Sequence, residues 1–489
     1  MKKGTLWRLF LFGTFLIGVV MYAAVTSRYK NDEEWIQAEP TWGATPTQVV
    51  ITATPVATQE ITPPPMNLKG RTYVFSEMDE ETARNWRNPG NAYDEAYYDM
   101  IGMYESEYDF KIEVKGSEAA PEEYLAMIRA SILEDKPAGD IISVNASQAV
   151  SLLTDPSGNL LLAYNDIPGG DAINTKWSRG VSELLTVNGK TYGVCNKANA
   201  GVGLYFNKAK LRAAGIDTDA LYQLQNSGQW DWEAFLSTFG TLFSDKCGTP
   251  DCYLLCADAK LTYSALLSNG TFVITKDDRD LLQVNTEAKE VSEALAFVHK
   301  LFESGVIYAP SQTAESSRQA FLDGKTAMII EDMTFLDTLA EQDQIEYGFI
   351  SFPQGPSAAS QLNFFIYGEN PVYVIPNCES SREKAEETVF VYQCYSDFPL
   401  MFDYGEEDAR LTNRFRYKLE KHLDEASCKT IYKLMYDYPV SVNNSELIAD
   451  FPQAWAAEVI ASDDYRSILN ANKGLWEEQV SRFNACFTE

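Results

Sequence analysis

The stretch "TYGVCNKANAGVGLYFNKAKLRAAGID", residues 191–217, decides how this chain folds. A small-residue run, Ala200-Gly201-Val202-Gly203, leads through Leu204-Tyr205-Phe206-Asn207 into a helical pattern without a break. Gly-x-Gly ahead of a helix invites a phosphate cradle. No third Gly follows at dinucleotide-binding spacing and no Lys-Ser/Thr pair follows at P-loop spacing, so the cradle is excluded. The glycines then serve close packing or backbone angles that a Cβ would forbid. Asn207 can accept from the first turn of a helix at 208–214, and Gly215 ends that helix. Just upstream, Asn188-Gly189 between polar flanks reads as a tight turn into a strand.

Outward from this stretch, strands and helices alternate. "RTYVFSE" (71–77), "FKIEVKG" (110–116) and "GDIISVN" (139–145) read as strands, separated by helices at 91–108 and 121–135. In the second helix Tyr124, Leu125, Ile128 and Ile132 make an apolar stripe. This βαβαβ opening predicts an α/β fold with a largely parallel sheet. Further on, Asp231 is placed to cap a helix, with Trp230 just outside it. Helices are expected at 287–303, 316–323 and 381–397, strands at 324–332, 347–353 and 370–376, and a mostly helical tail from about 406. There is no internal repeat.

A chain of 489 residues exceeds one core, so two or more domains are expected. The net charge of −30, from 70 acidic against 40 basic residues, repels phosphate backbones and argues against a nucleic-acid partner. The same charge suits a cationic ligand or simply solubility. Lys2, Lys3 and Arg8 precede an apolar run at 9–25, which places the remainder of the chain outside the cytoplasm. No Cys precedes Cys195, so lipid attachment through an N-terminal Cys is closed. An uncleaved anchor in residues 1–30 is the favoured reading, while Ala23-Ala24 leave cleavage open. Residues 31–69, rich in Thr and Pro from 40 onward, read as an extended linker. The cluster "CGTPDCYLLC" (247–256) hints at a metal. With only His299 and His422 in the chain and no second Cys cluster, a structural disulfide is the better reading, and no metal or cofactor is expected.

Four stretches together resemble the extracellular solute-binding proteins of bacterial ABC importers, the carbohydrate-binding family of the maltose-binding-protein type. They are "KPAGDIISVN" (136–145), residues 188–216 with "WDWEAF" (230–235), "AFLDGKTAMIIEDMTFL" (320–336), and "YGFISFPQGP" (347–356) followed by residues 372–395. The resemblance implies a two-lobed, periplasmic-binding-protein-like (type II) α/β fold with crossover hinge strands and a helical C-terminal part. Residues 70–198 with about 349–396 would form one lobe, and 199–348 with about 397–489 the other. Residues 191–217 would then be the first crossover, its glycines hinge backbone. The family's action is closure of both lobes on a ligand, which a membrane permease then receives. A small ligand, most simply a mono- or oligosaccharide, a permease and a tethering helix are the implied partners of a monomer on the outer face of the cytoplasmic membrane, or secreted after cleavage.

Open sheets take ligands beyond the carboxyl ends of their strands, which selects the candidate residues. After the first strand come Ser76 and Glu77, then Trp86: carboxylates accept twice from sugar hydroxyls, and an indole suits the apolar face of a ring. Each has a plainer reading, as loop polarity or core packing. Asn145 and Ser147 follow the third strand, where helix capping by Ser147 is the alternative. Asn199 is polar within an apolar crossover, and Lys197 beside it suits an ion pair between lobes. "CADAKLTYSALL" offers Asp258, Lys260 and Tyr263. Beyond "TAMII", Asp332 stands where the family often has Gly and Phe335 near a usual Trp. Asn363 and Tyr367 would close one side. Trp230 and Trp232, next to a helix cap, read as packing. Catalysis finds no support: His299 and His422 lie in helical text with no nucleophile motif beside them, and carboxylate pairs among 70 acids prove nothing. A polyamine-type binder, or a sensory or adhesive receptor without a permease, remains the alternative.

Overall fold

In "RTYVFS" the buried positions are Tyr73, Phe75 and Ser76, and the segment becomes a strand at the heart of a four-stranded sheet. The structure is a computed structural model. It describes residues 67–88, 92–170, 179–195, 202–240, 253–308, 313–340, 342, 345–358, 364–366, 371–396, 423–436, 440–448, 451–460, 462 and 464–488. The chain divides into two units, Met1–Pro64, which lies outside the described residues, and Pro65–Glu489. The anchor and most of the linker expected from the sequence therefore fall outside the description.

The first sheet has the order Val372–Val374, Ile141–Val144, Arg71–Ser76, Phe110–Lys115. Its first three strands in chain order are mutually parallel, and Val372–Val374 joins them antiparallel. Helix Pro121–Leu133 packs through Tyr124, Ile128 and Ile132. The second sheet has the order Ile307–Tyr308, Tyr253–Cys256, Thr326–Glu331, Gly203–Asn207, Tyr347–Ile350. There the first three strands are parallel, while Gly203–Asn207 runs against both of its neighbours. The βαβαβ opening thus gives the parallel set expected of it, and antiparallel strands make both sheets mixed. The strands that carry the chain into the second sheet and back to the first run opposite to the helix-linked ones, because they arrive from elsewhere rather than by a βα crossover.

The deciding stretch is a strand and then a capped helix, as read. A Cβ on Gly203 would sit 2.2 Å and 2.6 Å from ring atoms of Phe349, so packing alone demands glycine there. Asn207 Oδ1 accepts from the Lys210 N–H at 3.1 Å, and Gly215 follows with φ +81°. Asn188 (φ +50°) and Gly189 (φ +70°) form the turn between the short strands Thr186–Val187 and Lys190–Thr191.

The tail is less uniformly helical than expected. Helices Glu425–Tyr436, Ala454–Ile460 and Tyr465–Ala485 are joined by a strand, Val440–Val442, which pairs in parallel with Phe364–Ile366. Helix Glu425–Tyr436 covers the edge of the second sheet, where Ser427 Oγ accepts from the Phe349 N–H at 2.8 Å. Gln225 spans the same junction, taking the Ser351 N–H at 2.8 Å and donating to Thr430 Oγ1 at 2.8 Å. These buried side chains supply the hydrogen bonds that an edge strand otherwise lacks. Cys256, third in the cysteine cluster, is a free buried thiol, so no disulfide reaches it; Cys247 and Cys252 lie outside the described residues.

Candidate functional site

Two groups of carboxyl-terminal strand ends gather polar side chains. At the first sheet, Arg71–Ser76 ends in Ser76 and Glu77, both buried. Ser76 Oγ lies 3.2 Å from the Tyr124 hydroxyl, which also lies 3.2 Å from the Ser143 carbonyl. Glu77 is 3% exposed and accepts from the Tyr373 hydroxyl at 3.4 Å. Burial first, and the charge of Glu77 second, hold the Tyr395 phenol well above its usual range. Tyr395 packs on Phe75 at 4.5 Å between ring centroids, and on Trp86 at 5.8 Å. Trp86 is half-buried, with Tyr98 edge-on at 5.3 Å and the Arg87 guanidinium over its ring at 5.3 Å. Arg87 has φ +58°, and its guanidinium donates at 2.6 Å to the buried Glu105, which also takes the Ile112 N–H at 2.8 Å. The result is a packed aromatic cluster that holds two buried carboxylates, Glu77 and Glu105.

Asn145 caps helix Ala146–Leu153: its Oδ1 accepts from the Gln148 N–H at 2.8 Å, and Gln148 Oε1 returns the bond at 3.0 Å. Ser147, exposed, donates to the same Oδ1 at 2.8 Å. The cap is therefore Asn145 and not Ser147, and the Asn145 oxygen is already engaged.

At the second sheet, Asp258 follows the strand Tyr253–Cys256, and Glu331 ends its parallel neighbour Thr326–Glu331. Glu331 is fully buried and binds two cations: Lys260 Nζ at 2.7 Å, and Arg318 through Nε at 2.9 Å and Nη2 at 3.0 Å. Asp258 caps helix Ala259–Ser268 and stands 3.9 Å from Lys260 Nζ. Burial raises the Asp258 carboxyl against the pull of Lys260. Arg318 also stacks over Phe335 at 5.8 Å. Next along the chain, Asp332 is half-buried. Its Oδ1 accepts from the Thr334 N–H at 2.8 Å, and its carbonyl takes the Tyr205 hydroxyl at 3.2 Å.

Two candidates are corrected. Tyr263 is 1% exposed, packed on Phe272 and Trp455, with its hydroxyl on Gln453. Phe335 is likewise 1% exposed, between Tyr205 and Phe321. Neither offers a ring face to a ligand. Asn199, Asn363 and Tyr367, with Lys197, lie outside the described residues. Arg318, Glu105 and Tyr395, which the structure brings to these strand ends, were not singled out in the sequence; a lone carboxylate closing the apolar strand "TAMIIE" was the available signal that a cation must lie opposite. Among the described residues no group of three or more His, Cys, Asp or Glu could hold a metal ion. No described helix is long and apolar enough to cross a membrane.

A model of the bacterial extracellular solute-binding protein family matches residues 99–387. The maltodextrin-binding protein MdxE of Bacillus subtilis (strain 168) is 27% identical over 232 residues, which are 43% of this chain and 52% of that protein. The match thus spans about half the length of this relative. Among solved structures, the cyclic α-maltosyl-1,6-maltose binding protein of Arthrobacter globiformis aligns with a TM-score of 0.55 at 15% identity, over 85% of this chain and 98% of that one. UgpB of Mycobacterium tuberculosis, in complex with glycerophosphocholine, aligns with a TM-score of 0.55 at 15% identity, over 82% and 97%. Both likenesses speak for the fold, the two-lobed α/β architecture of solute-binding proteins.

Proposed function

Because the chain belongs to the bacterial extracellular solute-binding protein family, we propose that it is a receptor that captures a carbohydrate between two lobes and delivers it to an ABC importer. The observation that carries this reading is the family match over residues 99–387, joined to polar side chains gathered at the strand ends of both sheets. The half-buried indole of Trp86 suits the apolar face of a sugar ring, and the Arg318–Asp332 neighbourhood suits hydroxyls. The relative named for maltodextrin supports an oligosaccharide. The lobes would comprise residues 70–198 with about 349–396, and 199–348 with about 397–489. Ligand bound by both would favour the closed arrangement over the open one, with no covalent step and no catalytic role. The N-terminal apolar run would tether a monomeric receptor outside the membrane. Ser76, Glu77, Trp86, Asn145, Ser147, Asn199, Asp332, Asn363 and Tyr367 remain the proposed ligand-facing set. The net charge of −30 favours one second reading, a cationic ligand such as a polyamine.

Thermal unfolding of the full chain against maltotetraose, other mono- and oligosaccharides, glycerophosphocholine and spermidine tests this. A sugar at 100 times its dissociation constant should stabilise the protein by about 2.7 kcal/mol. A shift with spermidine alone, persisting in moderate salt, would replace carbohydrate by the cationic reading. No shift across the panel would defeat both.

A further inference from the structure

Arg318 is the only cation at the second sheet's strand ends that is both held rigidly and reachable among the described residues. Its Nε and Nη2 grip the two oxygens of Glu331, a side chain with no exposure, while a third of the Arg318 side chain remains exposed. Bidentate pairing fixes the plane of a guanidinium. The ring of Phe335 beneath it removes the remaining freedom. Among the described residues, no hydrogen bond engages Nη1. Lys260, 8% exposed and bonded to the same Glu331, is the buttress rather than the contact.

Asp332 is the next residue after Glu331, and its charge acts on Arg318. Its carboxylate is oriented by the Thr334 N–H, and its carbonyl by Tyr205 on the entry strand of this sheet. A rigidly held donor and an acceptor whose charge reaches it therefore lie at the carboxyl end of a parallel strand, the region where open sheets bind ligands.

We propose that Arg318 is a ligand-contacting residue, its Nη1 and the Asp332 carboxylate together serving as a donor–acceptor pair for adjacent hydroxyls of a neutral saccharide. This rests on the carbohydrate reading above and adds a residue and a charge preference to it. The preference follows from the local charges. Lys260 and Arg318 are opposed by Asp258, Glu331 and Asp332, so the cluster carries no surplus positive charge to offset a phosphate or carboxylate. An anionic ligand would gain the guanidinium but meet Asp332 directly. A diol meets both groups on favourable terms.

The test uses the full chain, titrated with maltotetraose and with glucose 1-phosphate, for wild type, Arg318→Lys and Asp332→Asn. Lysine keeps the charge beside Glu331 but loses the fork. Loss of one charge-assisted bond predicts a fall in maltotetraose affinity of about tenfold in each variant. Melting of the unliganded protein should move little in Asp332→Asn, which separates lost contact from lost structure. Glucose 1-phosphate should bind wild type more weakly than maltotetraose, and Asp332→Asn should narrow that gap. Should maltotetraose bind wild type and both variants equally, the assignment of Arg318 and Asp332 is overturned while the carbohydrate reading stands. Tighter binding of the phosphate ester by wild type overturns the neutral preference. If neither maltotetraose nor any other sugar of the panel binds wild type, the carbohydrate reading falls and this inference falls with it.

Discussion

At the first sheet's strand ends Glu77 is set among phenols and one indole; at the second sheet's, Lys260 and Arg318 meet on Glu331, with Asp258 and Asp332 beside them. The two places are alike in topology: Glu77 follows the strand Arg71–Ser76, and Glu331 ends the strand Thr326–Glu331. Glu77 accepts from the Tyr373 hydroxyl, and Glu331 is held by two cations. Rings tolerate small shifts in a neighbour, because dispersion is not directional. A bidentate ion pair does not, since its geometry is fixed at both oxygens. The second region therefore has the more rigid polar geometry, and the first the more tolerant packing.

The largest effect should come from Glu331→Ala. It leaves Lys260 and Arg318 without their shared partner, and removing one member of a buried pair costs about 3–5 kcal/mol. Equilibrium unfolding in denaturant would read this as a lowered midpoint. The combined change Lys260→Met, Arg318→Met, Glu331→Leu should recover most of the loss, because the penalty lies in the orphaned cations. If the triple variant is no more stable than Glu331→Ala, the network is not the stabilising unit it resembles.

Much of the frame behind these two regions was legible. Caps at Asn207 and Asp231, the turn at Asn188-Gly189, and the stripe of Tyr124, Ile128 and Ile132 are local signals, decided within a few residues, and they stand in the structure. "YLLC" and "IY" were missed as strands because short apolar runs carry no period. The site was less legible for a related reason. Glu331 meets Lys260 across 71 positions, and no spacing rule links them. Tyr263 and Phe335 were misjudged because an aromatic after a strand reads equally as a platform or as core, and only neighbours such as Trp455 and Tyr205 decide.

The matched perturbation at the first region is Tyr395→Ala, with an expected cost of about 3 kcal/mol, the lower end for a buried aromatic. It deletes contacts to Phe75, Trp86 and Tyr97 together. Tyr395→Phe keeps those rings and should cost less than half as much. Trp86 fluorescence should change in the alanine variant and hardly in the phenylalanine one. A phenylalanine variant as damaging as alanine would mean the hydroxyl, near Glu77, holds this end together. The contrast between the two regions would then shrink.

Lys276 sharpens the same comparison with a buried cation that has no carboxylate within ion-pair distance among the described residues. Its Nζ donates to the carbonyls of Glu183, Leu184 and Thr186 at 2.6, 3.0 and 2.6 Å, closing the end of helix Arg179–Leu184. Burial pulls its pKa from 10.5 down to about 8, with Asp280 and Glu183 opposing that shift. Above pH 8 the folded protein has released a proton that the unfolded chain keeps until its own, higher value. The unfolded state then binds more protons, so stability rises with pH across that window. The slope is at most about 1.4 kcal/mol per pH unit for one group. Between pH 8 and 10 the wild type should gain about 2 kcal/mol relative to Lys276→Met, which has no proton to lose there. Parallel stability curves would show that the three carbonyls hold the ammonium as well as Glu331 holds Lys260. In that case pairing with a carboxylate would not be what distinguishes the second sheet's strand ends.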